Sequence, residues 1–363
     1  MNSLIEYLKK VKDFRHLKGQ RHPLWLILLI VILGLMAGHL RYRDLEAFAI
    51  SQQHLWTKYF SISGGGVPSY STIRRVMIGV DVDSLIEVFN QWASDLTATQ
   101  DDSEWLAIDG KSLKSTLQHY SSHQQDFISI ISLFCQKNGL VLHLNKMQNK
   151  KRSEIGIVQD IARDSGLTNK VLTGDALHCQ KKTVQLITEG NNDYLIAVKK
   201  NQLTLYNYLE HQATTTIPSS QKITEDTSHG RKITRTVSVF PVVEPVSKEW
   251  ANSQNFIRVQ RSGHRGGKSY HQTAYYLSSR HESAEVFGEK IRGHWRIENQ
   301  LHWVKDVIFQ EDNSPLHQFG AATNFSILST IAMNLFRLLG FLSITEGRRW
   351  LSTRFWLLPI LLE

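Results

Sequence analysis

Two short apolar runs constrain this chain most: WLAIDGK around Asp109 and KVLTGDA around Asp175, each ending in an aspartate followed by small or turn-forming residues. Apolar runs of that length, bounded by turn residues, read as buried strands. Between them lie FISIISLFCQ and LVLHLNKM, two β-rich stretches separated by Lys137-Asn138-Gly139, an Asn-Gly hairpin signal. SEIGIVQDIARDSGL has helical apolar spacing, opens on Ser153 and closes at Gly166. After Asp175 comes the helical run KKTVQLITEG, then the strand-like NDYLIAVKKNQ. The order strand, hairpin partner, third strand, helix, strand, helix, strand predicts an α/β domain with a mixed sheet. Carboxylates at the strand ends of one such sheet can converge. Taken singly, Asp109-Gly110 reads more readily as a turn, and Asp175 as the cap of a helix starting near Ala176; the order of elements is what favours a shared site.

A third carboxylate comes from IRGHWRIENQLHWVKDVIFQED, residues 291 to 312. At helical pitch His294, Glu298, His302 and Lys305 share one face, and Ile297, Leu301, Val304 and Ile308 form an adjacent apolar stripe. A carboxylate held among cations and imidazoles on a core-backed helix suits a metal or phosphate site. An amphipathic helix with solvated His–Glu pairs explains the same spacing. Asp109, Asp175 and Glu298 would together offer three oxygen donors with no Cys and no His-x-x-x-His pattern, the chemistry of Mg²⁺ or Mn²⁺. Two such ions would activate a water or 3′-hydroxyl and stabilise the leaving oxygen of an in-line phosphodiester displacement.

The first 100 residues read as a small all-helical module. The run LWLILLIVILGLMAG (residues 24 to 38) is short for a membrane span, and its flanks, with Glu6 and Asp13 before it and RYRDLEAF after it, do not suit a signal peptide. It reads as a buried helix, with no membrane partner. VPSYSTIRRV offers Ser69 or Ser71 as an N-cap, and Arg74 and Arg75 as phosphate-tracking cations or as a solvated helix start. Residues 201 to 285 read as a β-rich insertion, in which RSGHRGGKSYHQ makes a basic hairpin carrying Arg261, His264, Arg265 and Lys268. The catalytic core then comprises residues 101 to 200 and 286 to 340, followed by a helical tail at 341 to 363. Lys plus Arg outnumber Asp plus Glu by 42 to 33, a net charge of +9, which favours a polyanionic partner such as nucleic acid. Two cysteines, Cys135 and Cys179, argue against a disulfide framework or structural zinc and fit a reducing cytoplasm.

AIDGKSLKS, TGDALHCQKKTVQLI, DYLIAVKKNQ and HWRIENQLHWVKDVIFQED closely resemble the DDE transposases of the H-repeat-associated insertion-sequence type. DFRHLKGQRHPLWLILLIVILGLMAG, YRDLEAFA and VPSYSTIRRV resemble the helical domain that precedes their core. The resemblance implies an RNase H-like fold and a Mg²⁺-dependent triad of Asp109, Asp175 and Glu298. It also implies double-stranded DNA partners, namely terminal inverted repeats and target, with a dimer on synapsed ends. The activity implied is strand cleavage at element ends followed by 3′-hydroxyl strand transfer. A nuclease without strand transfer, or an inactive DNA-binding remnant, would carry the same residues. Of the wider group's Tyr–Arg–Glu–Lys signature, Glu298 and Lys305 fill the last two places, while Ile291 and His294 stand at the first two. The phosphate grip is therefore expected from Lys305 with His294, Arg296, Arg292 or Lys111. His302 would orient Glu298, Asn299 and Trp303 would flank it, with Trp303 expected in the core, and Gln202 would support the site. In HGRKITR (residues 229 to 235) a structural or DNA-contacting turn is expected, with Ile233 where an acidic residue is usual.

Overall fold

The computed structural model describes residues 4–60, 66–97, 104–117, 126–227, 233–265 and 268–354. Six helices come first: α1 (Leu4–Leu8), α2 (Leu24–Met36), α3 (Tyr42–Ser51), α4 (Gln53–Phe60), α5 (Tyr70–Gly79) and α6 (Val82–Thr97). Pro23 precedes α2, whose residues are buried almost all round, as the continuous apolar run demands. Its partners include α1, α3, α5 and the late helix α13 (Phe319–Leu338). Ser69 caps α5, its hydroxyl accepting from Thr72 N.

The strands β1 (Trp105–Ser112), β2 (Ile128–Cys135) and β3 (Val141–Gln148) form an antiparallel meander. Gly139, at φ 77°, supplies the left-handed residue that the β2–β3 turn needs. Helix α7 (Glu154–Asp164) starts at Ser153, which caps Gly156 N, and leads to β4 (Val171–Gly174). Helix α8 (Lys181–Glu189) then leads to β5 (Asp193–Val198). Both β4 and β5 run parallel to β1.

The segment expected to be β-rich opens instead with a helix, α9 (Leu203–Thr215), whose Leu205, Leu209 and Ala213 are buried. Strands β6 (Ser220–Asp226), β7 (Ile233–Pro241), β8 (Asn255–Arg265) and β9 (Lys268–Ser278) follow, with a short α10 (Val246–Glu249) between β7 and β8. These strands continue the core sheet: β9 pairs antiparallel with β5, giving the order β3-β2-β1-β4-β5-β9-β8-β7-β6. Helix α11 (Ala284–His294) crosses back over the sheet, then come α12 (Trp303–Val307), α13 and α14 (Ile344–Ser352).

Strand alternation divides the core between the two sheet faces. Leu106 and Ile108 of β1 pack into a cluster with α7, α8 and α9. Trp105 and Ala107 point the other way, Trp105 towards α11 and Ala107 into a large cluster shared by α2, α5, α6 and α13. The same alternation turns Asp109 and Lys111 towards α11 and α12, and Gly110 towards α7.

Candidate active site

Strands β1 and β4 bring the two aspartates together. Leu106 pairs with Leu172 and Ala107 with Thr173. The same offset, continued by two residues, sets Asp109 level with Asp175 on strands about 4.8 Å apart. Asp175 caps a 3₁₀ turn, Ala176–His178, accepting from Leu177 N at 2.9 Å. The capping reading of Asp175 therefore holds, and the capping residue also opens onto a cleft of about 210 Å³ lined by Asp109, Asp175 and Glu298. Gln202 supports this turn from behind, its Nε2 donating to Cys179 O at 2.9 Å, while Asn201 Nδ2 donates to Ala176 O at 2.6 Å.

Glu298 does not sit on an unbroken α-helix. Residues Glu298–His302 form a π-helical turn between α11 and α12, a feature that inserts a residue into the helical repeat and shifts the faces on either side. The single face expected for His294, Glu298, His302 and Lys305 is thereby split. His294 and Glu298 line the cleft. His302 is buried and turns to Asp109, with Nε2 3.2 Å from Oδ2, so it orients Asp109 rather than Glu298. Lys305 turns inward and is buried against α13.

Burial alone would raise the Asp109 pKa. The His302 imidazole, the Gly110 N–H at 2.9 Å and the His294 ring outweigh it and hold this carboxyl below the usual aspartate value. His294 shows the opposite balance: burial pulls its pKa below 6.5 even though Asp109 and Asp175 both oppose that. Its Nδ1 lies 3.0 Å from Thr173 Oγ1, which also accepts from Gln136 Nε2 at 3.0 Å.

Four expected phosphate contacts lie elsewhere. Lys305 Nζ donates to Ser326 Oγ at 2.8 Å and stands 3.9 Å from Glu311, and burial lowers its pKa. An ammonium so enclosed does not reach a DNA backbone. Lys111 is occupied by Asp306 at 2.6 Å, Asp312 at 3.3 Å and Glu311 at 3.9 Å. Burial pulls its pKa down, yet these carboxylates keep it above the ordinary lysine value. Arg296 donates to Gln136 O at 2.7 Å, in a separate hollow beside Trp105 and Glu289. Arg292 lies against β6 and β7, lining a hollow with Asp226 and Arg235.

Trp303, expected in the core, is 53% exposed, and Asn299 is exposed beside Glu298. Arg74 and Arg75 are exposed on α5, away from the cleft. Of HGRKITR, residues 229 to 232 lie outside the described residues, and Ile233 begins β7. Residues that the sequence reading missed complete the cleft: Trp295, 55% exposed, Tyr276 from β9 and Lys199 at the end of β5. The position of Lys199, just past a strand that runs parallel to the strand of Asp175, was the available signal.

The donor set has the chemistry of a hard divalent cation: carboxylate oxygens and an imidazole, without thiolates. Among the described residues no three His, Cys, Asp or Glu side chains are grouped closely enough to enclose one ion. The carboxylates thus share a cleft without being gathered around a single point.

Comparison with known proteins accounts for both halves of the chain. Residues 101–335 match the family described as Transposase DDE domain, and residues 5–93 match the domain described as DDE_Tnp_1-associated. Putative transposase YncI of Escherichia coli O157:H7 is 30% identical over 347 residues, spanning 93% of this chain and 88% of that protein. The H repeat-associated putative transposase YhhI of Escherichia coli K12 is 30% identical over 354 residues, 92% of this chain and 90% of its own. A solved structure of the piggyBac transposase synaptic complex with hairpin DNA aligns over 97% of this chain and 80% of that one, at 10% identity and a TM-score of 0.45, a likeness too remote to carry an argument. The match over residues 101–335 and the identity across nearly the full length agree: the chain belongs to the Transposase DDE domain family.

Proposed function

We propose that this chain is an insertion-sequence transposase that cleaves phosphodiester bonds at the ends of its element and joins the freed 3′-hydroxyl to target DNA. It acts in the cytoplasm, with two copies on paired ends. The observation that carries this reading is the convergence of Asp109, Asp175 and Glu298 on one cleft, from two parallel strand ends and a π-helical turn. The strand order β3-β2-β1-β4-β5 supports reading the core as RNase H-like, with the later strands added at its β5 edge.

Asp109, Asp175 and Glu298 would hold the divalent cations, Mg²⁺ with Mn²⁺ as substitute. When bound, these ions supply Lewis acidity at the scissile phosphate and lower the pKa of the attacking hydroxyl. The protein's own part is positioning. His302 and Gly110 N–H fix the Asp109 carboxylate and keep it ionised at neutral pH. His294 stays neutral between the aspartates, so it does not compete as a cation for their charge. Lys199 is the exposed cation at the cleft and is placed to meet a non-bridging phosphate oxygen. Trp295 offers an exposed ring on which a base at the cleavage site can stack.

The test is Mg²⁺-dependent cleavage of a labelled duplex carrying the element's own end. Asp109→Asn, Asp175→Asn and Glu298→Gln should each abolish cleavage while the far-ultraviolet circular dichroism and DNA affinity stay near wild type. Cleavage retained by any of the three removes that residue from the triad.

A further inference from the structure

A second basic feature lies away from the catalytic cleft, where the helical module meets the segment leading into α13. Here a cavity of about 630 Å³ is lined by Arg41, Arg43 and Arg74, with Asp44 the one acidic side chain beside them. None of the three arginines makes an ion pair among the described residues, although Asp44 is close by. Arg43 instead lies over the Tyr70 ring, 4.7 Å from its centroid. Three guanidinium groups around one cavity repel each other unless an anion joins them.

The rest of the lining agrees with an anionic occupant. The Tyr42 ring closes one wall, with its hydroxyl buried out of reach of solvent. Two long helices begin here, α3 after Arg41 and α13 after Gln318, and neither has a side-chain cap. Their first N–H groups are therefore available to an acceptor, and their dipoles favour negative charge. The cavity is tied to the catalytic strand: His317, in its lining, has Nδ1 3.1 Å from the carbonyl of Ser115, just beyond β1. Arg75 takes no part. It folds back along its own helix towards Ser71 O and Thr72 Oγ1.

We propose that this cavity is a phosphodiester-binding site for the DNA strand, gripped by Arg41, Arg43 and Arg74. It holds the duplex against the helical module while a separate stretch lies in the catalytic cleft. The assignment rests on the transposase reading for the identity of the polyanion, but not on the carboxylate chemistry.

The experiment is fluorescence anisotropy of a labelled duplex, without divalent metal, across a salt series. Wild type is compared with Arg41→Ala, Arg43→Ala and Arg74→Ala, and with Arg163→Ala as a control of equal charge change on the remote helix α7. Each cavity variant should bind more weakly and lower the slope of log K against log salt by about 0.9, the value for one phosphate that is no longer neutralised. The Arg163 control should keep the wild-type slope. Inorganic phosphate added at constant ionic strength should compete only weakly, because one free anion lacks the neighbouring phosphates of a strand. Unchanged slopes in all three arginine variants, or a fall in slope equal to that of the control, overturn the proposal. Arginine-dependent binding without any metal-dependent cleavage would sink the cleavage reading and leave this site standing. Cleavage with unchanged slopes would do the reverse.

Discussion

Replacing Lys305 by methionine tests whether this lysine serves the fold or the DNA. Its side chain is 2% exposed, with Nζ 2.8 Å from Ser326 Oγ and 3.9 Å from Glu311. Glu311 is itself 3% exposed, neither of its carboxylate oxygens has a hydrogen-bond partner, and its other cation, Lys111, is also 3.9 Å away. Methionine fills most of the lysine volume, so the main effect is a buried carboxylate deprived of one of its two counter-charges. Breaking a buried pair in this way costs about 3–5 kcal/mol, a large share of the roughly 5–15 kcal/mol that stabilises an ordinary domain. In urea unfolding, Lys305→Met should therefore lower the midpoint sharply. Lys305→Met with Glu311→Gln should recover most of that stability, because the double variant buries no unpaired charge. Where both proteins are folded, the salt slope of DNA binding should match wild type. A Lys305→Met protein of wild-type stability whose salt slope falls by about 0.9 would place Lys305 at a phosphate and refute the buried assignment.

Two further outcomes are expected. Burial pushes the His143 pKa down to about 4 from its ordinary 6.5, so between those values the unfolded chain binds more protons than the folded one. The stability it contributes is complete above pH 6.5 and declines as pH falls towards 4, by at most about 3 kcal/mol. His143→Asn should flatten that part of a melting-temperature profile, and an unchanged slope would show that the folded imidazole titrates normally. Trp295→Ala removes a ring that is 55% exposed at the cleft, so the part that is covered should cost no more than about 3 kcal/mol of stability. End cleavage should fall, and more for a base-paired end than for one already unpaired at the cleavage site. Equal cleavage on both substrates would leave Trp295 without a role in stacking.

Much of the architecture is legible because it follows from short-range rules. The Asn138-Gly139 turn, the caps at Ser69 and Ser153 and the alternation along β1 are local, and together they settle which way Asp109 points. What is not legible is what a residue meets across the fold. Trp295, Tyr276 and Lys199 come from three separated elements, and only the β4–β5–β9 pairing places them at one cleft. Helix α9 is hard to read because its apolar residues do not keep to one face, Leu203 being exposed while Leu205, Leu209 and Ala213 are buried, so the β-like runs after it dominate the pattern.

The π-helical turn is the most instructive case. An i→i+5 ladder leaves no residue-type signature, so helical spacing alone predicts one face for Glu298, His302 and Lys305. Those three side chains have incompatible environments: Glu298 is exposed at the cleft, His302 is buried against Asp109, and Lys305 is buried against α13. An uninterrupted α-helix would hold all three on neighbouring azimuths and satisfy at most two of them. The extra residue in the repeat lets the chain rotate between Glu298 and Lys305, while two polar contacts secure the π turn and α12 to β1, His302 to Asp109 and Asp306 to Lys111. The local defect in the helix thus lets Glu298 face the cleft while Lys305 faces α13. A substitution that restored regular helix here would be expected to disturb the site before it disturbed the fold.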